Sequence, residues 1–255
     1  MSVVITEKRG DVGIITLNRP EVRNALNIEV RSAMRAALDA FDVDPDVLVV
    51  VLTGAGGTFC SGRDLKAAAA GEPMYPSRRA ALSSFNRTTI AKPVIAAVEG
   101  WALAGGFELA LSCDLIVAGE GARFGVPEVA RNLVAIGGGL LRLPRRMPYH
   151  LAMELALTGE PWTAAALAKW GVVNRVVPTG DALKAAVAMA EQIATNGPSA
   201  VRATKEIIRA GFDSASEQQA FDAQDAAAAP ALTSPDGAEG IRAFNEKRRP
   251  VWSDR

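Results

Sequence analysis

Two glutamates in glycine-rich settings are the residues of this chain best placed to do chemistry: Glu108 in Gly105-Gly106-Phe107-Glu108, and Glu128 in Phe124-Gly125-Val126-Pro127-Glu128. Carboxylates on separate elements, each beside close-packing glycines, suit a site where one group takes a proton and the other gives one. A third segment, Phe59-Cys60-Ser61-Gly62-Arg63-Asp64-Leu65, can turn backbone N–H groups toward a developing oxyanion. Gly105 precedes Glu108 by about one helical turn, so the amide of one and the carboxylate of the other can face one cavity. Asp64 is placed to cap a helix that begins at Leu65. Cys60 has no histidine beside it, so it reads as a small buried packing residue, and Cys113 reads the same way.

The elements that must position these residues follow from patterning. Val3 to Thr6 and Gly13 to Leu17 are β-branched runs joined by Lys-Arg-Gly-Asp, a hairpin signal. Asn27 can cap a helix through about Phe41, with Val30, Met34, Ala37, Leu38 and Phe41 at helical spacing. Val47 to Leu52, Pro93 to Val98 and Leu115 to Ala118 read as buried strands. Ser77 to Ala91 reads as a helix, and Ala104-Gly105-Gly106 opens a short one through Ser112. Gly71-Glu-Pro-Met-Tyr-Pro-Ser reads as a mobile loop. From Gly137 the chain is mostly helical, broken by Val172 to Val177 as a last strand. Asn196-Gly-Pro198, Gly211, Pro230 and Pro235 mark helix ends. Strands alternating with helices, followed by a helical tail, describe an α/β core with an α-helical C-terminal region, and pattern alone points to a doubly wound sheet.

Composition narrows the function. The 255 residues can form one large domain or two small ones around a sizeable core. Lys plus Arg equals Asp plus Glu at 28 each, so no global field favours nucleic acid or an anionic membrane. The N-terminus does not read as a secretion signal, and no apolar run approaches the roughly 18 residues that span a bilayer. Two cysteines make no disulfide framework, so a reducing cytoplasm is the expected compartment. One histidine, His150, and two separated cysteines do not make a zinc site. Gly57 to Gly62 mimics the first half of a P-loop, but Arg63-Asp64 stands where Lys-Ser/Thr is needed. There is no Gly-x-Ser-x-Gly elbow.

Taken together, these segments resemble the enoyl-CoA hydratase/isomerase (crotonase) superfamily, with the enoyl-CoA hydratases nearest. The resemblance runs from Leu17-Asn18-Arg19-Pro20 to Phe244-Asn245-Glu246-Lys247-Arg248. It implies an α/β fold of repeated ββα units wound into a superhelix, in place of the doubly wound sheet. It also implies a division into residues 1–195, which hold the acyl-CoA site, and a C-terminal helical region, 196–255, used to assemble a trimer or a dimer of trimers. The implied activity is reversible addition of water across the 2,3 double bond of a 2-enoyl-CoA thioester, as in fatty acid metabolism. No metal or redox cofactor is implied, because coenzyme A is carried by the substrate.

By the same resemblance, the main-chain N–H groups of Arg63 and Gly105 hold the thioester oxygen. Glu108 activates the attacking water and Glu128 delivers a proton to C2. Arg23, Ala25, Leu26 and Lys66 meet the coenzyme A carrier, and Phe244 and Lys247 complete the site of a neighbouring subunit. One stretch departs from the hydratase pattern: Val134-Ala135-Ile136-Gly137-Gly138-Gly139-Leu140 stands where a Pro-Gly-Ala-Gly-Gly-Thr segment is usual. A double-bond isomerase and a carnitinyl-CoA-type dehydratase are therefore the rival enzymes. A silent acyl-CoA-binding or RNA-binding protein on the same fold is the rival outside enzymes. Isomerases of this superfamily often keep only the second glutamate, so the presence of both favours hydration.

Overall fold

The β-branched runs at the N-terminus pair as antiparallel strands, β1 (Val4–Arg9) and β2 (Val12–Leu17), in a computed structural model that describes residues 2–254. Pairing continues to Arg9 opposite Val12, so the turn is Gly10-Asp11 alone, and Lys8 and Arg9, expected in the loop, extend the strand. Gly10 makes the reversal at φ +57°, where a side chain would be strained.

The other strands are β3 (Val49–Gly54), β4 (Val94–Val98), β5 (Trp101–Leu103), β6 (Leu115–Gly119), β7 (Arg123–Gly125), β8 (Trp162–Thr163) and β9 (Arg175–Val177). The main sheet runs β1-β2-β3-β4-β6-β9 and is parallel from β2 onward. Its central strands are buried on both faces, as their unbroken apolar runs require. Alternation divides them: Val50, Leu52, Ala96 and Val98 join the larger core with Val30, Met34, Leu38 and Phe41 of helix Ile28–Val43. Val49, Val51, Ile95 and Ala97 face Ala186, Val187, Met189 and Ala190 of helix Ala182–Ala194. Asn27 caps helix Ile28–Val43 as expected, its side chain accepting from the Val30 N–H at 2.9 Å.

The short strands β5, β7 and β8 form a second sheet that the sequence pattern did not disclose, because two or three residues are too few to show alternation. This sheet gives the core its ββα repeat. β4 and β5 lead into helix Gly105–Ser112, and β6 and β7 lead into the 3-10 turn Pro127–Arg131. In each repeat the second strand leaves the main sheet for the small one. That is the superhelical arrangement, and the doubly wound alternative is set aside.

Three helix boundaries differ from expectation. Of Ser77 to Ala91, only Arg78–Leu82 is helical. There the Ser83 and Ser84 hydroxyls donate to the Arg79 and Ala81 carbonyls, and such local bonds compete with helix continuation. Gly211 and Pro230 lie inside helices Pro198–Asp213 and Glu217–Leu232, each within the last turn, where a weak helix former is tolerated. Pro235 opens helix Pro235–Asn245, the position where a missing N–H costs nothing. Val172 and Val173 are buried in a bend, and only Arg175–Val177 pairs as a strand. No helix among the described residues is long and apolar enough to cross a membrane.

Candidate active site

Parallel neighbours bring the chemistry together. β5 pairs with β7 in the register Leu103 to Gly125, and Cys60 bridges to Ala102 in the same direction. The segments leaving these three points therefore emerge side by side: Ser61 to Asp64, Ala104 to Glu108, and Val126 to Glu128. All three contribute to one cavity of about 740 Å³. Ala104 takes φ +52° between β5 and the helix, an unusual geometry for a residue with a Cβ. Its N–H donates to the Gly125 carbonyl at 2.8 Å, which ties the Glu108 helix to the end of β7, just before the turn that carries Glu128.

Packing around the glycines is close. A Cβ on Gly106 would fall 2.2 Å from the Cys60 carbonyl oxygen, so this glycine lets the helix seat against the Cys60 loop. A Cβ on Gly62 would lie 3.1 Å from the Gly105 nitrogen, and one on Gly105 would lie 3.8 Å from the Arg63 nitrogen. The two amides expected to form an oxyanion hole are thus neighbours. Neither donates a hydrogen bond among the described residues, and both residues line the cavity. Gly105 also begins an eight-residue helix, whose free N–H groups and dipole favour negative charge.

Burial raises both carboxyls, but their hydrogen-bonding differs. Glu108 is only 4 % exposed, and its Oε1 accepts from the Gly139 N–H at 3.0 Å. Burial raises its pKa. The Gly139 and Gly137 N–H groups, with the nearby Arg142 and Arg31 guanidiniums, oppose that rise. Glu128 is half-buried on the 3-10 turn, and its Oε2 is enclosed without a hydrogen-bond partner. Burial, with repulsion from Glu108 as a lesser cause, pushes the Glu128 carboxyl up to about 7. Glu108 is the member of the pair equipped to carry charge, and Glu128 the member equipped to hold a proton.

The remaining expected residues fall into three groups. Arg23, Ala25 and Lys66 line the same cavity, with Arg23 and Lys66 exposed on it as cations. Leu26 is buried beneath it, its N–H donating to the Gly62 carbonyl and its carbonyl accepting from Asp64, so it shapes the Arg63 loop without lining the cavity. Phe244 and Lys247 stand outside the cavity of their own chain, with Phe244 82 % exposed. Asp64 caps helix Leu65–Ala69 through the Lys66 and Ala67 amides and pairs with Arg19 at 3.0 Å. The Cys60 thiol is fully buried, and burial pushes it up to about 12, which leaves it inert as a nucleophile.

Sequence reasoning missed what holds Glu108. The 134–140 stretch, read as a departure from the hydratase pattern, folds its glycines onto that carboxylate. A Cβ on Gly137 would fall 2.4 Å from Glu108 Oε2, so a side chain there would displace the carboxylate. Asn86 donates to the Gly137 carbonyl at 3.2 Å, and Arg142 clasps both segments through the Gly137 and Asn86 carbonyls. The run of three glycines was the visible signal, but a displaced motif gave no hint of its target. The Arg63 side chain also has a task of its own: it donates to the Glu72 carbonyl at 3.0 Å, while the Glu72 carboxylate accepts from the Ile28 N–H at 2.9 Å. The Gly71 to Ser77 loop, expected to be mobile, is thereby anchored over the cavity.

A partly open cavity lined by two unpaired amides and two carboxylates of different hydrogen-bonding suits acid–base chemistry beside a developing oxyanion. Comparison with known proteins agrees. The family described as enoyl-CoA hydratase/isomerase matches residues 7–255. Enoyl-CoA hydratase EchA19 of Mycobacterium tuberculosis is 44% identical, over 98% of this chain and 96% of its own length. A carnitinyl-CoA dehydratase of Salmonella typhi is 40% identical, with 97% of each chain covered. A crystal structure of an enoyl-CoA hydratase from Mycobacterium tuberculosis H37Rv superposes with a TM-score of 0.95 at 48% identity, over 100% of both chains. The chain belongs to the enoyl-CoA hydratase/isomerase family.

Proposed function

We propose that the protein is an enoyl-CoA hydratase that uses Glu108 as the base on water and Glu128 as the acid toward C2. The observation that carries the assignment is the asymmetry of the carboxylates: Glu108 accepts backbone N–H groups, and Glu128 holds a buried oxygen with no partner. The thioester carbonyl lies between the Arg63 and Gly105 amides, which take up the negative charge that develops as water adds to C3. Losing one such donor typically costs about 3–4 kcal/mol of transition-state stabilisation. Arg23 and Lys66 meet the phosphates of the carrier, and Ala25 and the buried Leu26 set the backbone beside it.

The pH dependence tests the roles. An acid must carry its proton to work, so kcat/KM for hydration of crotonyl-CoA is expected to fall as pH rises through about 7, where burial places the Glu128 carboxyl. Dehydration of 3-hydroxybutyryl-CoA is tied to hydration by a pH-independent equilibrium constant, because the same single proton is only redistributed between Glu108 and Glu128, so its kcat/KM should fall over the same range. A hydration rate that climbs across neutral pH would reverse the assignment.

Residues 196–255 are proposed to assemble copies of the chain into a trimer or a dimer of trimers in the cytoplasm, with Phe244 and Lys247 meeting a neighbour's cavity. Support comes from the large apolar side chains these helices leave exposed, among them Ile208, Phe212, Phe221 and Leu232. Residues 1–195 then form the catalytic unit. A monomeric mass by sedimentation equilibrium would contradict the assembly. On this reading the reaction draws on no metal or redox group, and the acyl chain enters as a coenzyme A thioester.

A further inference from the structure

The arginines in and beside the cavity are either solvent-exposed, as Arg23, Arg87 and Arg131 are, or tied to partners. Arg19 pairs with Asp64, Arg63 is tied to the Glu72 carbonyl, and Arg142 to the carbonyls of Gly137 and Asn86. Arg31 differs. It projects from the first turn of helix Ile28–Val43, is half-buried, and lines the cavity together with Met74, Tyr75 and Asn86. No carboxylate lies within ion-pair distance of it among the described residues. Its contacts are with Tyr75, whose hydroxyl accepts from Nη1 at 3.5 Å and whose ring lies 5.1 Å from the guanidinium carbon.

A half-buried guanidinium loses hydration, and neither a long hydrogen bond nor a ring face replaces the carboxylate that usually compensates it. Tyr75 holds the group in place and leaves the rest of its donor fork available to a ligand. That ligand is on the acyl side: Arg31 lines the cavity with Asn86, whose amide donates to the carbonyl of Gly137 packed against Glu108, whereas Arg23 and Lys66 are the cations assigned to the carrier. A bidentate guanidinium is matched to a carboxylate better than to any other common acyl substituent.

We propose that Arg31, held by Tyr75, selects 2-enoyl thioesters whose acyl chain ends in a carboxylate. The inference rests on the hydratase reading of the site. It makes Arg31 a specificity-determining residue and disfavours acyl groups that carry a cation.

The test compares glutaconyl-CoA, its homologue one methylene longer, and crotonyl-CoA as substrates for the intact protein and for Arg31→Met and Arg31→Lys. Wild type is expected to favour at least one dicarboxylic thioester in kcat/KM. Arg31→Met should reduce the ratio of that value to the crotonyl value by about ten- to a hundredfold, mainly through KM, which is the scale of one charge-assisted hydrogen bond. Arg31→Lys should restore part of the ratio by restoring the charge. An equal loss for all substrates would overturn the proposal and leave Arg31 as a field partner of Glu108. So would a wild type that prefers crotonyl-CoA to both dicarboxylic thioesters. If wild type hydrates none of the three, the hydratase reading itself fails, a result distinct from hydration without preference.

Discussion

Glu128→Gln is expected to lower kcat for hydration by about 10²–10⁴-fold, the range of a lost general acid, while CoA-ester binding is largely kept. The amide is nearly isosteric but has no proton to give at neutral pH. Stability should change little. Oε2 of Glu128 has no partner to lose, and the neutral amide avoids the repulsion from Glu108 that helps raise the carboxyl. The fall of hydration rate across neutral pH should also vanish in the variant, because the group responsible is gone. Wild-type-like turnover with the pH limb intact would remove Glu128 from the mechanism.

Glu108→Gln should be as damaging to hydration, and damaging in a different way. Water loses its activating base, for a further loss of about 10²–10⁴-fold. The glutamine carbonyl can still accept from Gly139, but its NH₂ would meet the Gly137 N–H, two donors facing each other in a buried place. Such a mismatch typically costs about 1–3 kcal/mol. The variant is therefore expected to melt earlier than Glu128→Gln and to loosen the 137–139 turn. The same variant separates hydratase from isomerase. If wild type and Glu108→Gln isomerise a 3-enoyl-CoA equally well and wild type never hydrates, the base on water is not needed and the isomerase reading stands.

How much of this was legible in the letters depended on the range of the interaction. β3 and β4 were readable because fully buried parallel strands need unbroken apolar runs, and the Asn27 and Asp64 caps because their partners lie within three residues. Glu108 and Glu128 stood out through their glycine-rich settings, and the resemblance supplied their roles. The support around them was not readable, since each part of it joins distant stretches. Gly139 reaches Glu108 across 31 residues, and Arg142 reaches Asn86 across 56. The Asn86 region itself read as helix, because its Ser and Thr hydroxyls turn to nearby carbonyls in a way that periodicity does not register. The small sheet β5-β7-β8, with the Cys60 bridge to β5, aligns the three segments that line the cavity, yet none of its strands exceeds three residues.

The central claim is that this pair of carboxylates adds water to an enoyl thioester, and one mass measurement addresses it directly. The purified protein is incubated with crotonyl-CoA in water enriched in heavy oxygen, and the thioester products are weighed by mass spectrometry. The account predicts an acyl group heavier by one labelled water, with the label on the C3 hydroxyl, formed by wild type and nearly absent with Glu108→Gln and Glu128→Gln. An acyl group of unchanged mass after prolonged incubation with folded wild-type protein would contradict it.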